Sequence, residues 1–156
     1  MTYNREAAVA YAHKWALGRN PAFYNFDKIG GDCTNFASQC IYAGCGVMNY
    51  TPDVGWYYKS AHNRAAAWTG VEYLHRFLTK NKSRGPYATE LPIEYALPGD
   101  IIQLSFNGIV FAHSLVVVSI YPQILISAHT EDSDNRPLNT YVYTQARLLH
   151  IEGARD

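Results

Sequence analysis

The hydrophobic period of the chain changes once, from helical to strand-like, and that change limits the fold more than any other feature. Tyr3, Ala7, Tyr11 and Trp15 recur every fourth residue with Ala8 and Ala12 beside them, which predicts an amphipathic helix that Gly18 ends. A loop follows to Gly30-Gly31-Asp32. A second helix is predicted from near Cys33, with Phe36, Ala37, Cys40, Ile41 and Gly44 on its inner face and Gly44 and Gly46 at its close. Thr69-Gly70-Val71-Glu72 fits a capping box ahead of a third helix through Leu74, Phe77 and Leu78 to about Asn81. Beyond the Pro98-Gly99 turn the pattern is that of strands. Ile101 to Phe106, a two-residue Asn107-Gly108 hairpin turn, Ile109 to Ile120, a break at Pro122 and Ile124 to His129 follow in order. Glu131 to Asn135 reads as a loop, and Tyr141 to Tyr143 and Leu148 to Ile151 as further strands. Helices followed by a meander of antiparallel strands predict an α+β fold. With 156 residues, no repeat and no Pro/Gly/Ser linker, residues 1–156 are expected to form one domain.

Charge and cysteine usage narrow the function classes. Lys plus Arg and Asp plus Glu number 13 each, so no global field draws the chain to nucleic acid or to an acidic polymer. The apolar runs, such as Leu115 to Val118, are too short for a membrane span, and Met1 to Glu6 holds no apolar signal core. The cysteines are Cys33, Cys40 and Cys45, with no CxxC pair, which argues against a disulfide framework and leaves at least one free thiol.

The sharpest local feature is Gly30-Gly31-Asp32-Cys33-Thr34-Asn35-Phe36. The paired glycines permit a tight turn and close approach of a substrate chain. At the first turn of a helix, unpaired N–H groups and the helix dipole favour negative charge, so Cys33 is expected to have thiolate character and an oxyanion site beside it. Cys40, seven residues on, fits a buried structural role better. A thiolate needs a base. His13 and His75 lie in helical segments, and His62 and His150 in or beside polar ones. His113 opens the apolar strand Ser114-Leu115-Val116-Val117-Val118, and His129 closes the next, Ile124 to Ala128. Hairpin pairing around Pro122 is expected to bring His113 and His129 to neighbouring positions, giving a Cys-His-His arrangement with Cys33. Trp56, Tyr57, Tyr58 and Trp68 lie where a sugar or peptide platform would serve, with loop packing as the alternative. Rival chemistries fit less well. His129-Thr130-Glu131 matches half of a zinc-deaminase signature, but no Cys pair follows. A zinc site of Cys33, His113 and His129 lacks paired ligand spacings. Glu131, Asp132 and Asp134 lack the glycine and distal glutamate of a calcium loop.

The string Gly31-Asp32-Cys33-Thr34-Asn35-Phe36, with Ser38-Gln39 after it, resembles the nucleophile helix of papain-like amidase domains related to the NlpC and CHAP peptidoglycan hydrolases of bacteria and phage endolysins. Tyr3-Asn4-Arg5, Trp56-Tyr57, Trp68-Thr69, Pro98-Gly99-Asp100, His113-Ser114 and Ala128-His129-Thr130 extend the resemblance over nearly the whole chain. It implies a papain-like fold, with helices packed on an antiparallel sheet. It also implies Cys33 as nucleophile, His113 as general base and His129 as third member, with Asp132 the competitor for that place. Asp32 would fix the Cys33 turn or contact substrate, and Trp56 and Trp68 would support substrate. No metal or organic cofactor is required. The implied substrate is bacterial peptidoglycan, cut between N-acetylmuramic acid and L-alanine. A stem-peptide or cross-bridge endopeptidase is the near alternative, and a non-catalytic wall-binding module or a zinc-dependent hydrolase is the alternative of another class. A monomer acting at the cell wall is expected, reaching it by lysis, by a phage holin route or after synthesis in the cytoplasm.

Overall fold

Asn4 caps the first helix in the computed structural model of the protein, which describes residues 2–156; its side-chain oxygen accepts the Ala7 N–H at 3.0 Å. Helix α1 (Arg5–Trp15) buries only Ala8 and Ala12, small residues that let it lie close against α2 (Cys33–Cys45). Helix α2 is the centre of the fold, with 11 of its 13 residues buried. Gly44 is needed where α2 meets Tyr3, because a Cβ there would overlap the Tyr3 ring. Gly46 ends the helix in the left-handed region at φ 71°, its N–H donating to the Tyr42 carbonyl at 2.8 Å. A two-stranded ribbon, β1 (Tyr58–Ser60) with β2 (Asn63–Arg64), leads to the short helix α3 (Ala66–Thr69) and to α4 (Val71–Lys80), which buries Leu74, Phe77 and Leu78.

The remaining strands are β3 (Gly85–Leu91), β4 (Ile101–Ser105), β5 (His113–Ser119), β6 (Leu125–Ala128), β7 (Ser133–Pro137) and β8 (Gln145–Arg155). They form one sheet of order β3-β8-β4-β5-β6-β7 in which every neighbouring pair is antiparallel, so the class is α+β. Alternation divides the central strands between two cores. Ile101, Val116, Val118, Leu149 and Ile151 meet the helices, while Ile102, Leu104, Leu115, Val117 and Leu148 pack on the other face under Leu91, Ile93, Leu138 and Tyr141. Burial on both sides explains why β4 and β5 read as continuous apolar runs.

The segments before α1 and before β4 are bound together. Tyr3 Oη donates to the Gly99 carbonyl at 2.8 Å, and Arg5 donates to the Pro98 carbonyl at 3.0 Å, to Asp100 at 2.7 Å and to the Ile151 carbonyl at 2.6 Å. Asp100 is fully buried and also meets His150 at 2.8 Å and the N–H groups of Leu97 and Ile151, each at 3.0 Å.

Several local expectations are corrected. No capping box opens α4: Thr69 accepts from Arg64, and Glu72 pairs with Arg147 at 2.9 Å. The Asn107-Gly108 turn is wider than two residues, because Asn107 Oδ1 accepts the N–H groups of Ile109 and Val110 and delays β5 to His113. Residues 133–137 form an edge strand rather than a loop, residues 141–143 lie outside any strand, and β3 was not foreseen.

Candidate active site

The turn before α2 is built on Asp32, whose side chain does not cap the helix but points inward. Its Oδ1 accepts the Phe26 N–H at 2.8 Å and the Asn35 amide at 2.9 Å, and its Oδ2 lies 2.5 Å from His129 Nδ1 and 3.5 Å from Arg19 Nε. Burial acts to raise the Asp32 carboxyl, but hydrogen bonds from His129, Asn35 and the Phe26 N–H outweigh it and hold the group below its ordinary value. Gly30 and Gly31 take φ 85° and 97°, the left-handed conformation that lets the chain double back to this carboxylate.

Cys33 follows at the first position of α2, 8% exposed. Its sulfur lies 3.8 Å from Thr34 Oγ1, and the Ser114 and Thr34 N–H groups donate toward it. Thr34 Oγ1 and Ser114 Oγ are 3.0 Å apart, and Gln103 Nε2 donates to Ser114 Oγ at 3.2 Å. The nucleophile helix is thus bonded to the first residues of β5, where His113 precedes Ser114. Burial pushes the Cys33 thiol up; donation from Ser114 and Thr34 opposes this, and the Asp32 carboxylate adds to it. The expected resting thiolate is therefore corrected to a neutral thiol, because desolvation outweighs the favourable donors. Cys45 is pushed up to about 11 and Cys40 well above its usual value, both by burial.

His113 is 6% exposed, with its ring centroid 5.9 Å from Tyr141 and 6.4 Å from Phe106. Burial, aided by the positive charge of Arg136, lowers its pKa to about 4, so the imidazole is neutral and able to accept a proton at pH 7. The His113 ring makes no side-chain hydrogen bond to Cys33 or to any other described residue, while its backbone pairs with Leu104 of β4.

His129 lies elsewhere. Its Nδ1 meets Asp32, its Nε2 donates to the Trp15 carbonyl at 2.8 Å, and its ring stacks on Phe36 at 4.1 Å. The β5–β6 register pairs Val116 with Ser127 and Val117 with Ile126, so continuing it sets Ser114, not His113, opposite His129. The expected side-by-side placement of the two histidines is corrected by this one-residue offset, which sends them to opposite faces of the sheet. Asp132 is held by Arg19 through two contacts of 2.9 Å. Trp56 and Trp68 have no exposed surface; their indole N–H groups donate to Ser38 at 3.0 Å and to Asn35 at 2.9 Å. Their expected contact with substrate gives way to a core role, in which Trp68 steadies the Asn35 that holds Asp32. Arg19 escaped sequence reasoning altogether. It clamps Asp27 at 2.9 Å as well as Asp132, joining the loop before Cys33 to the β6–β7 connection, and nothing in its local pattern marks it. Tyr141 and Arg136 were also missed: the Arg136 guanidinium lies 3.7 Å over the Tyr141 ring, and the Tyr141 hydroxyl is buried with no partner. Among the described residues no three His, Cys, Asp or Glu side chains converge as metal ligands, so a zinc site of Cys33, His113 and His129 has no geometric basis.

No solved structure matches the chain. A curated relative, the Uncharacterized protein YhbB of Bacillus subtilis (strain 168), is 34% identical over 139 residues, which is 86% of this chain and 43% of the relative. The chain therefore spans less than half of that protein's length. A family that points to amide chemistry in general matches residues 2–151, and the chain belongs to it: the family described as "Putative amidase domain".

Proposed function

We propose that the protein is a papain-like cysteine amidase, a relative of the NlpC and CHAP enzymes, which hydrolyses an amide bond of bacterial peptidoglycan. The observation that carries this reading is the bonding of the Cys33 turn to the opening of β5, with the Ser114 N–H directed at the sulfur and a neutral His113 next in the chain. The Cys33 and Asn35 N–H groups precede the first intrahelical bond, from Phe36 to the Asp32 carbonyl at 3.0 Å, and Asp32 leaves the helix start uncapped by any side chain. Uncapped donors at that point suit a developing oxyanion. Since the thiol is neutral, the Cys33 proton passes to His113 as sulfur attacks the carbonyl. Catalytic hydrogen bonds are often long before substrate binds, and this one forms in the complex. His113 then gives the proton to the departing amine, leaving a thioester. Water, deprotonated by His113, attacks that thioester and regenerates the thiol. The reaction needs no cofactor.

His129 serves in this reading as a positioning residue for Asp32 and the Cys33 turn, so the reacting groups are a Cys33–His113 dyad. The preferred bond joins N-acetylmuramic acid to L-alanine, and the protein acts at the wall as a monomer. Mass spectrometry of purified peptidoglycan digested by the protein tests the assignment. Free lactyl carboxyl and L-alanine amino ends support it, new ends within the stem or cross-bridge would make it an endopeptidase, and an unchanged wall with intact thiol would remove the reading.

A further inference from the structure

Apolar side chains that the two cores leave outside gather at one end of the sheet. There Leu104 of β4 stands opposite His113 of β5, and Ser105 opposite Gln145 of β8, so the loop of residues 106–112 and the segment 141–144 leave the sheet side by side. Thr144 joins them: its N–H donates to the Ser105 carbonyl at 2.9 Å and its hydroxyl to the Phe106 carbonyl at 2.9 Å. Ile109 is 83% exposed and Val142 92%, with Phe106, Val110 and Tyr143 also exposed. One bare aliphatic residue means little, but five apolar or aromatic residues on two bonded loops make a patch. Phe106 borders the candidate active site, its ring centroid 6.4 Å from that of His113.

Two features choose the partner. The first is charge. No Asp, Glu, Lys or Arg occurs between Ile101 and Thr130 or between Pro137 and Ala146, in a chain that is 17% charged. The flanking cations are answered. Arg147 packs 3.9 Å over Phe111 and pairs with Glu72 at 2.9 Å, and Arg136 packs 3.7 Å over Tyr141 with Glu131 3.8 Å away. Neither sign prevails, so a partner recognised by its charge finds nothing to meet. The second feature is the backbone. Asn107 Oδ1 accepts the N–H groups of Ile109 at 2.8 Å and Val110 at 3.0 Å, Ser105 Oγ accepts that of Gly108 at 3.0 Å, and the Leu104 carbonyl accepts that of Ala112 at 2.9 Å. A docking protein takes several hydrogen bonds across its contact. An apolar phase without water instead demands that N–H groups be satisfied inside the chain, and this loop meets that demand. Aromatic rings beside aliphatic tips suit the boundary between head groups and acyl chains.

We propose that this patch binds the surface of an electrically neutral phospholipid bilayer, with Ile109, Val110 and Val142 entering the acyl boundary and Phe106 and Tyr143 lying at the head groups. The contact brings the neighbouring His113 to the bilayer surface. It is separate from the reaction at Cys33 and stands whether or not an amide is cleaved. Sedimentation of the folded wild-type protein with phosphatidylcholine vesicles tests it. The protein should pellet with the vesicles in low salt and lose none of that binding in high salt, since no charge pairing is there to be screened. I109S/V142S, changed at the two barest positions of the patch, should bind ~tenfold or more weakly while keeping wild-type thermal stability. L17S/V54S, changed at aliphatic positions elsewhere that are 70% and 73% exposed, should bind as the wild type does. No binding, binding that needs anionic lipid, or equal weakening by the two variants overturns the proposal. Sedimentation equilibrium without lipid gives the last check: a dimer that I109S/V142S abolishes would assign the patch to a second copy of the chain and overturn the bilayer assignment.

Discussion

At the scale of single residues, the protonation states of Cys33 and His113 are the reverse of an ion pair. Burial holds the sulfur as thiol and the imidazole neutral. Iodoacetamide should therefore alkylate Cys33 slowly near pH 7 and faster as pH rises beyond the ordinary thiol range, ahead of Cys40 and Cys45, which sit deeper. Peptide mapping across pH reads this, and fast labelling of Cys33 at pH 6 would show a thiolate after all. For the imidazole the folded pKa, about 4, is lower than the unfolded value, so the folded state binds fewer protons. Its contribution to stability is present above pH ~6.5 and is lost as pH falls toward 4, up to roughly 3 kcal/mol. The acid limb of kcat/KM should fall through the same low value rather than near 6.5. His113→Ala should cost ~10²–10⁴-fold or more in turnover with folding retained. His129→Ala should instead leave Asp32 buried without its closest partner and cost about 3–5 kcal/mol in urea unfolding. A His129→Ala protein with wild-type stability and no turnover would return His129 to the reacting group.

Elements explain which parts of this could be read in advance. The α1 and α2 periods are visible because Ala8, Ala12, Phe36 and Ile41 face one core at helical spacing. Strands β4 and β5 are visible as apolar runs because both their faces are covered. Strand β3 hid because Gly85-Pro86-Tyr87-Ala88-Thr89-Glu90 carries little apolar pattern and pairs on one side only, with β8. The site followed the same division. Cys33 and His113 stand at element starts, where the sequence marks a helix end and a strand opening. The placement of His129 depended on the hairpin register: Ser119 pairs with Leu125, and the irregularity before it shifts the register to Val117 with Ile126, still one residue short of setting His113 opposite His129. Arg19, in an irregular loop, meets Asp27 and Asp132 only once the chain has folded. The joint between α1 and β4 gives the prediction at this scale. Asp100→Ala removes a fully buried carboxylate that answers Arg5 at 2.7 Å and His150 at 2.8 Å. A loss of about 3–5 kcal/mol is expected by chemical denaturation, whereas a loss under 1 kcal/mol would mean the joint is solvated.

For the whole molecule, the arrangement is a central helix enclosed between a short-residue helix and an antiparallel sheet, with no helix among the described residues long and apolar enough to cross a membrane. Helix α1 buries only Ala8 and Ala12, and so little burial usually goes with fraying and early solvent exchange. Here its start is fastened to Pro98, Asp100 and Ile151 through Arg5, and its last carbonyl, Trp15, is occupied by His129. Opening α1 from either end would therefore break contacts with β4, β8 and the end of β6 together, so no small local fluctuation can expose it. In hydrogen exchange, the amides of α1 should behave as members of the slowest cooperative unit, with protection equal to that of α2. Deuterium uptake in Ala8 to Ala12 well ahead of Phe36 to Ile41 would show that the first helix opens on its own.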